Sequence, residues 1–515
     1  MPVGNPKKAT SRSSKAPARN VYGLDLRRAW AKVIAEVKRD PVPDILEWED
    51  YKLAWPRWED ELNRALNEDS YHPQSPMLVE VAKDAFATRP TLLLRPKDRV
   101  LYEALVEQFA PIIDGQLNEH VYSARLRQSR PARTWLKPQV REWLRFQKAG
   151  RDLYTVSDYA YALTTDVASY FEYIQVETLI RDLKRLPGVQ ESHVNLLSRL
   201  LNELERSTDG WGLPQGPEAS AILGNFYLLP VDQALSMQPV RYLRFQDDLK
   251  VFADSPAKLR LALRDVIRTL RHRRLNLSVH KTKMLVGDEI LTAFEDDRKT
   301  AIQYGLNIGD EAAIDDLRLL FDDAVEAKPR RDRDIRFSVY RLEDKHDPHA
   351  VGWILDHLAD VPYLAPALTK YLSDHMSAFS EIEVRVTEFL KDPAANLYPF
   401  MELHLVRMLA RADHVSDRTH TLLWGILRDR NKETYVREHA ARAVGRHPRS
   451  GDLDLLKTLF ATEPDPLVRR ALLVACHESG GRDPAWLATL ATAHEDLKPT
   501  CDYLMGNPIL PGTRN

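Results

Sequence analysis

The sequence predicts an α+β domain built on a small antiparallel sheet, followed by an all-α region. Three observations carry this expectation. Apolar runs flank an adjacent carboxylate pair, with Val240-Arg241-Tyr242-Leu243 before Arg244-Phe245-Gln246-Asp247-Asp248 and Leu249-Lys250-Val251-Phe252 after it, which reads as strand, tight turn, strand. A second buried-strand pattern, starting at Tyr161, ends on Asp166. After about Gly287 strand-like alternation stops, and the remainder is helical and rich in Leu, Ala, Arg, Asp and Glu.

Composition bounds the answer. A chain of 515 residues exceeds the roughly 250–300 residues that one hydrophobic core serves, so at least two domains are expected. Cys476 and Cys501 are the only cysteines, which excludes a disulfide scaffold and fits a reducing cytosol. No apolar run reaches the roughly 20 residues that span a bilayer, and no apolar signal core opens the chain, so a cytoplasmic protein without a membrane partner is expected. The net charge of −2 excludes a polycation, so nucleic-acid affinity has to come from local basic patches. Residues 1–20 read as a disordered basic tail, 21–290 as the α+β domain and 291–515 as the helical domain.

The elements follow in chain order. From Val21 the pattern is helical and aromatic, with Trp30, Trp48, Trp55 and Trp58. Leu92-Leu93-Leu94 then leads into Arg95, Lys97 and Arg99 at the start of a long helix. Such cations can hold a triphosphate. They equally fit a plain helix start, with Asp98 as N-cap and the cations exposed. Next come Asp166-Val167-Ala168-Ser169-Tyr170-Phe171, the Gly/Pro loop from Gly212 to Ser220 containing Gln215 and Gly216, the Asp247-Asp248 turn, and Leu275 to Lys283 containing Lys281.

Adjacent acids at a turn repel each other, and a divalent cation relieves that repulsion; oxygen ligands select Mg²⁺ or Mn²⁺. A lone Asp-Asp pair is ordinarily a solvated turn. Here it is the third of four segments which, in order, resemble the palm motifs A, B, C and D of reverse transcriptases, and the stretch from Arg95 resembles that family's fingers. The resemblance implies a ferredoxin-like palm sheet. It implies metal binding by Asp166, Asp247 and Asp248, with the Val167 carbonyl as a further ligand. Two such ions, about 3.5–4 Å apart, stabilise the attacking and leaving oxygens of nucleotidyl transfer. Phe171, five residues after Asp166, takes the place of a steric gate against the 2′-hydroxyl, which favours dNTPs. Gln215 is placed to hydrogen-bond nucleotide or template, and Gly216 to let the backbone approach it. Arg95, Lys97 and Arg99 fall in the nucleotide-binding region. Lys281 is either a proton donor to pyrophosphate or, with Lys283, part of an exposed basic strand edge.

In the C-terminal region, Tyr435–Val444 echoes Leu467–Cys476, each with Val-Arg early and small apolar residues after it, which resembles a HEAT-like helical repeat replacing a thumb. The Pro217-Glu218 pair departs from intron-encoded enzymes, and a retron-type Val-Thr-Gly signature is missing. What remains resembles the abortive-infection reverse transcriptases of bacterial antiphage defence. That resemblance implies template-independent polymerisation of dNTPs primed on a tyrosine, a single-stranded DNA product attached to protein, and a homo-oligomer. Tyr22 and Tyr51 are the N-terminal candidates for priming. A templated enzyme copying a dedicated noncoding RNA is the alternative, and a non-catalytic RNA-binding scaffold is the third reading. The Arg-x₄-His spacings Arg341–His346 and Arg442–His447 match HEPN ribonucleases but are expected by chance in a chain with 16 His.

Overall fold

The computed structural model describes residues 20–129, 133–157, 159–208, 210–294 and 297–512. The expected basic tail lies outside them, except Asn20, whose side chain bonds the Leu24 carbonyl at 3.0 Å and Asn63 at 2.9 Å.

The strand pattern of the sequence appears as a hairpin, β1 (Met77–Ala82) with β2 (Thr88–Leu93), and a four-stranded antiparallel sheet. That sheet consists of β3 (Tyr161–Asp166), β4 (Arg241–Phe245), β5 (Asp248–Ala253) and β6 (Lys283–Val286), in the order β4-β5-β3-β6. The register places Asp166 opposite Asp248 and Thr164 opposite Lys250. Alternation then sorts the faces. Leu163, Tyr242, Leu249 and Val251 point into the larger core of this half of the molecule. Ala162, Leu243 and Phe252 point the other way, into a small cluster with Phe146 and Phe294. The carboxylates stand on this second face, beyond the cluster that covers its other end.

Among the described residues this half also holds ten helices, of which α4, α8, α9 and α10 pack on the sheet: α1 (Leu26–Glu36), α2 (Glu49–Asn67), α3 (Pro96–Gln116), α4 (Gln139–Thr155), α5 (Val176–Lys184), α6 (Glu191–Ser207), α7 (Glu218–Tyr227), α8 (Leu229–Ser236), α9 (Pro256–His272) and α10 (Asp288–Phe294). The central helix α3 is buried on most of its surface and packs on α1, α6 and α7. Its N-cap is Arg95, with Pro96 in the first turn. Asp98 is not the cap: its carboxylate is buried and accepts from the Tyr71 hydroxyl at 2.7 Å and the Gln74 amide at 2.9 Å.

From α11 (Asp297–Ile308) the chain is helical throughout its described length. It continues through α12 (Ala312–Glu326), α13 (Asp332–Asp344), α14 (Val351–Asp356), α15 (Ala365–His375), α16 (Glu381–Lys391), α17 (Pro399–Ala410), α18 (Asp417–Arg428), α19 (Thr434–Arg446), α20 (Asp452–Thr462), α21 (Pro466–Glu478), α22 (Pro484–Ala493) and α23 (Lys498–Gly506). The odd-numbered helices from α13 to α23 pack each on the next, forming one continuous row. The two echoing segments are α19 and α21, neighbours in that row. A Cβ on Gly445 of α19 would meet the Ala475 Cα of α21 at 2.5 Å, so small residues set their spacing. Asp465 caps α21, accepting from the Leu467 and Val468 amides, which explains the Asp-Pro before the second segment.

The row does not stand apart from the sheet-bearing half. Val42, Ile45, Leu46, Val79 and Ala82 belong to its core, so the segment after α1 and the β1–β2 hairpin are wedged against it. Arg470 of α21 bonds Asp44 at 2.7 Å and Asp50 at 2.9 Å, and the His439 ring of α19 bonds the Pro43 carbonyl at 2.9 Å.

Candidate active site

The β4–β5 turn is built to hold Asp247. Gln246 has φ +59, a left-handed conformation costly for a residue with a Cβ. Its side chain and amide repay this locally: the amide donates to Ser123 Oγ at 2.7 Å, and Nε2 donates to the Ala221 carbonyl at 3.1 Å. Arg244, fully buried, donates to the Gln246 carbonyl at 2.8 Å while its other nitrogens hold Asp232 at 2.6 and 2.8 Å. Residues 120–122 pair with Arg244 through the main chain and cover the β4 edge.

Asp166 ends β3 beside this turn. The Val167 amide donates to the Asp247 carbonyl at 3.3 Å, the Ser278 amide to the Asp166 carbonyl at 2.7 Å, and the Ala168 amide to the Asn276 carbonyl at 2.8 Å. Three segments far apart in sequence are thus stitched at one sheet end. The Asp166 and Asp247 carboxylates come within hydrogen-bonding reach of each other, and burial, with Asp166 alongside, pushes the Asp247 pKa up to about 7. Lys281 answers the excess negative charge, with Nζ 2.5 Å from Asp166 Oδ2.

Asp248 is placed differently. It lies one residue beyond the turn, and its carboxylate pairs with Lys250 Nζ at 3.1 Å. Among the described residues no three His, Cys, Asp or Glu side chains converge as a ready cluster. The residues nonetheless fit a hard divalent cation through the Asp166–Asp247 pair. Two apposed carboxylates, one of them pushed up by burial and by the other's charge, are a donor set that a cation relieves.

Phe171 follows in a single helical turn, Phe171–Tyr173. Its carbonyl accepts from the Leu213 amide at 2.9 Å, and the Glu172 carbonyl accepts from Gly212 at 2.9 Å, so the Gly/Pro loop is tied to the segment after Asp166. A Cβ on Gly224 of α7 would lie 3.2 Å from the Phe171 ring and 2.8 Å from Gln246 Nε2, so glycine there seats ring and turn together. Gly216 has φ +115, which a side chain resists; Gln215 beside it is half-buried.

The three expected fingers cations do not converge on this pair. Arg99 is corrected outright: its guanidinium is buried and paired with Asp40 at 2.6 Å and Glu36 at 3.5 Å. It lies one helical turn into α3, so its side chain enters the core. Lys97 pairs with Glu61 of α2 at 2.6 Å, and Arg95 Nε reaches the Ser75 carbonyl at 3.3 Å. The cation that does meet the site region is Arg89 of β2, 3.9 Å from Glu172. It was legible only as a basic residue in a strand-like run. Lys250, 3.1 Å from Asp248, reads in the sequence as an ordinary polar position of an alternating strand.

Neither Arg-x₄-His spacing forms a site. Arg442 bonds the Ile45 carbonyl and Glu478, whereas the His447 ring bonds the Leu409 carbonyl at 3.0 Å. Arg341 stacks on Phe337 at 3.8 Å, and His346 pairs with Asp374 at 2.7 Å.

At one end of this antiparallel sheet stand an acidic turn, a carboxylate ending an inner strand, and a glycine loop tied beside both. Residues 81–312 match the family model described as reverse transcriptase (RNA-dependent DNA polymerase). The matched span contains Asp166, Phe171, Gln215, Gly216, Asp247, Asp248 and Lys281. The chain therefore carries a reverse transcriptase domain, the domain of an RNA-directed DNA polymerase-type nucleotidyltransferase. No curated protein matches the chain. Among the described residues no helix is long and apolar enough to cross a membrane.

Proposed function

We propose that this chain is an Mg²⁺-dependent DNA polymerase of bacterial antiphage defence, which polymerises dNTPs without a template and starts from a protein tyrosine. The observation that carries the polymerase reading is the apposition of Asp166 and Asp247 at the open sheet end, next to Phe171.

In this reading Asp166 and Asp247 hold the divalent ion, with the Val167 carbonyl as a further donor and Asp248 orienting the turn through Lys250. Bound there, the ion lowers the charge cost of the attacking and leaving oxygens. A hydroxyl attacks the α-phosphorus of a dNTP, and the bond to pyrophosphate breaks. Lys281 meets the departing pyrophosphate as a cation or gives it a proton. Phe171 excludes a 2′-hydroxyl, Gln215 contacts nucleotide or template, and Gly216 opens the loop to close approach. The helical row stands in sequence where a thumb follows the palm, and the echo of α19 and α21 supports a HEAT-like repeat. Cytoplasmic location, a homo-oligomer and a DNA strand joined to protein complete the proposal. Tyr51 is half-buried, with the Arg470 guanidinium 4.6 Å from the centre of its ring. Tyr22 is half-buried, and its carbonyl is held by His193 at 2.8 Å.

The test uses nuclease-treated protein with Mg²⁺ and labelled dNTPs, no primer and no template, on a denaturing gel with and without protease. Label that stays with protein until protease releases it supports the proposal. Product that forms only when co-purified RNA is restored moves the function to copying of a dedicated noncoding RNA.

A further inference from the structure

A cavity lies away from the carboxylate pair. It has a volume of 830 Å³ and lies between the segment after α1, the β1–β2 hairpin, and helices α13, α15 and α17. Sites for small ligands occupy about 300–1,000 Å³.

Its charges are unbalanced. The carboxylates in its wall are already engaged: Asp40 with Arg99 at 2.6 Å, Asp44 with Arg470 at 2.7 Å, Glu49 with Lys52, and Glu47 with Arg411 at 3.6 Å. Five cations in the same wall, Lys38, Arg39, Lys83, Arg336 and Arg407, make no ion pair among the described residues. Four are exposed at the rim. Arg407 is half-buried inside, where burial and the neighbouring Arg411 push its pKa down to about 10. One turn earlier on α17, His404 is buried, with the Pro41 carbonyl beside its ring. His404 and Arg407 also line a second cavity of 550 Å³. Glu47 attracts Arg407 but is paired with Arg411, so the desolvated Arg407 guanidinium is only partly compensated and an anion would complete it.

The wall also carries Tyr340 and Tyr363, and the Tyr363 hydroxyl is fixed on Asp332 at 2.7 Å. Aromatic rings set among cations suit a base attached to phosphates, since every base has a face to stack.

We propose that this cavity is a second nucleotide site, separate from the Asp166–Asp247 pair, which binds a free nucleoside polyphosphate with its phosphates at Arg407 and the rim cations. Arg89, also in the wall, is the cation that reaches Glu172 beside Phe171.

The experiment measures binding of labelled ATP to the full-length protein by equilibrium dialysis in EDTA, where nothing is polymerised. Its failure is thus separable from failure of the polymerase proposal. Saturable binding is expected, weakened by Arg407→Gln at least about tenfold, the value of one charge-assisted contact. Arg336→Gln, on the exposed rim, weakens it less while leaving the melting temperature unchanged, and Asp247→Asn leaves it intact. Absence of saturable binding overturns the proposal. So does binding lost in Asp247→Asn but kept in both arginine variants. A thymidylate oligonucleotide binding more tightly than ATP also overturns it and assigns the cavity to a strand.

Discussion

Two influences act together on Asp247, a buried position and a second carboxylate beside it. Its pKa stands near 7, above the ordinary carboxylate range, so between about pH 4 and 7 the folded chain holds a proton that the unfolded chain has lost. Its contribution to stability is therefore largest at the acid end and falls as pH rises through 7. In EDTA, Asp247→Asn should flatten that fall and raise the melting temperature at pH 7. In Mg²⁺ the same variant should lose at least about 100-fold in nucleotide incorporation, as loss of a ligand costs no less than loss of its outer support. Unchanged incorporation would remove Asp247 from the metal assignment. Phe171→Ala tests the gate. Ribonucleotide incorporation relative to deoxyribonucleotide should rise about tenfold or more, the scale of relieving a steric exclusion. An unchanged ratio would make the ring a packing residue.

At the scale of elements, the Gly/Pro loop is positioned by a buried charge cluster that no linear motif announces. Lys32 of α1 is fully buried over the Trp135 ring, ion-paired to Glu103 of α3 and within 3.4 Å of Glu36 and 3.5 Å of Glu218. Burial opposes its charge, but the three carboxylates outweigh that and raise its pKa. Glu36 and Glu103 in turn accept from the amides of Glu218 and Ala219, the start of α7. Lys32→Met should cost about 3–5 kcal/mol in chemical denaturation, because it strands buried carboxylates. It should also weaken dNTP use through the displaced loop. A loss of less than about 1 kcal/mol would mean that the cluster readjusts by protonation.

At the scale of the molecule, the helical row is locked to the catalytic half by Arg470. Its guanidinium bridges Asp44 and Asp50, Thr500 adds a bond to Asp50 at 2.6 Å, and Arg470 lies over the Tyr51 ring. Arg470→Met should cost about 3–5 kcal/mol and split one unfolding transition into two, since it leaves two acids buried between the halves. A single unshifted transition would show that apolar packing of Val42, Ile45 and Leu46 holds the halves alone.

Much of this was legible in the chain. Asp166, Phe171, Gly216 and Asp247 are announced by short-range patterns, because strand alternation, a turn and a glycine loop are local in sequence. So is the helical character after Gly287, and Asp-Pro as a helix start. Arg99 misled, because a basic residue near a strand end looks the same whether it faces a nucleotide or turns inward to Asp40. Arg89 and Lys250 gave no signal of their own.

By itself, then, the sequence determined that strands precede a long helical stretch, and in what order the segments bearing Asp166, Gly216 and Asp247 follow, since each depends on neighbours a few residues away. Only the tertiary structure decided that Asp166 meets Asp247 while Asp248 turns to Lys250, that Lys32 braces the glycine loop, and that unpaired cations line a cavity against the helical row. Those outcomes depend on which distant charges share a low-dielectric interior, and pairing across hundreds of residues leaves no periodic trace in the chain.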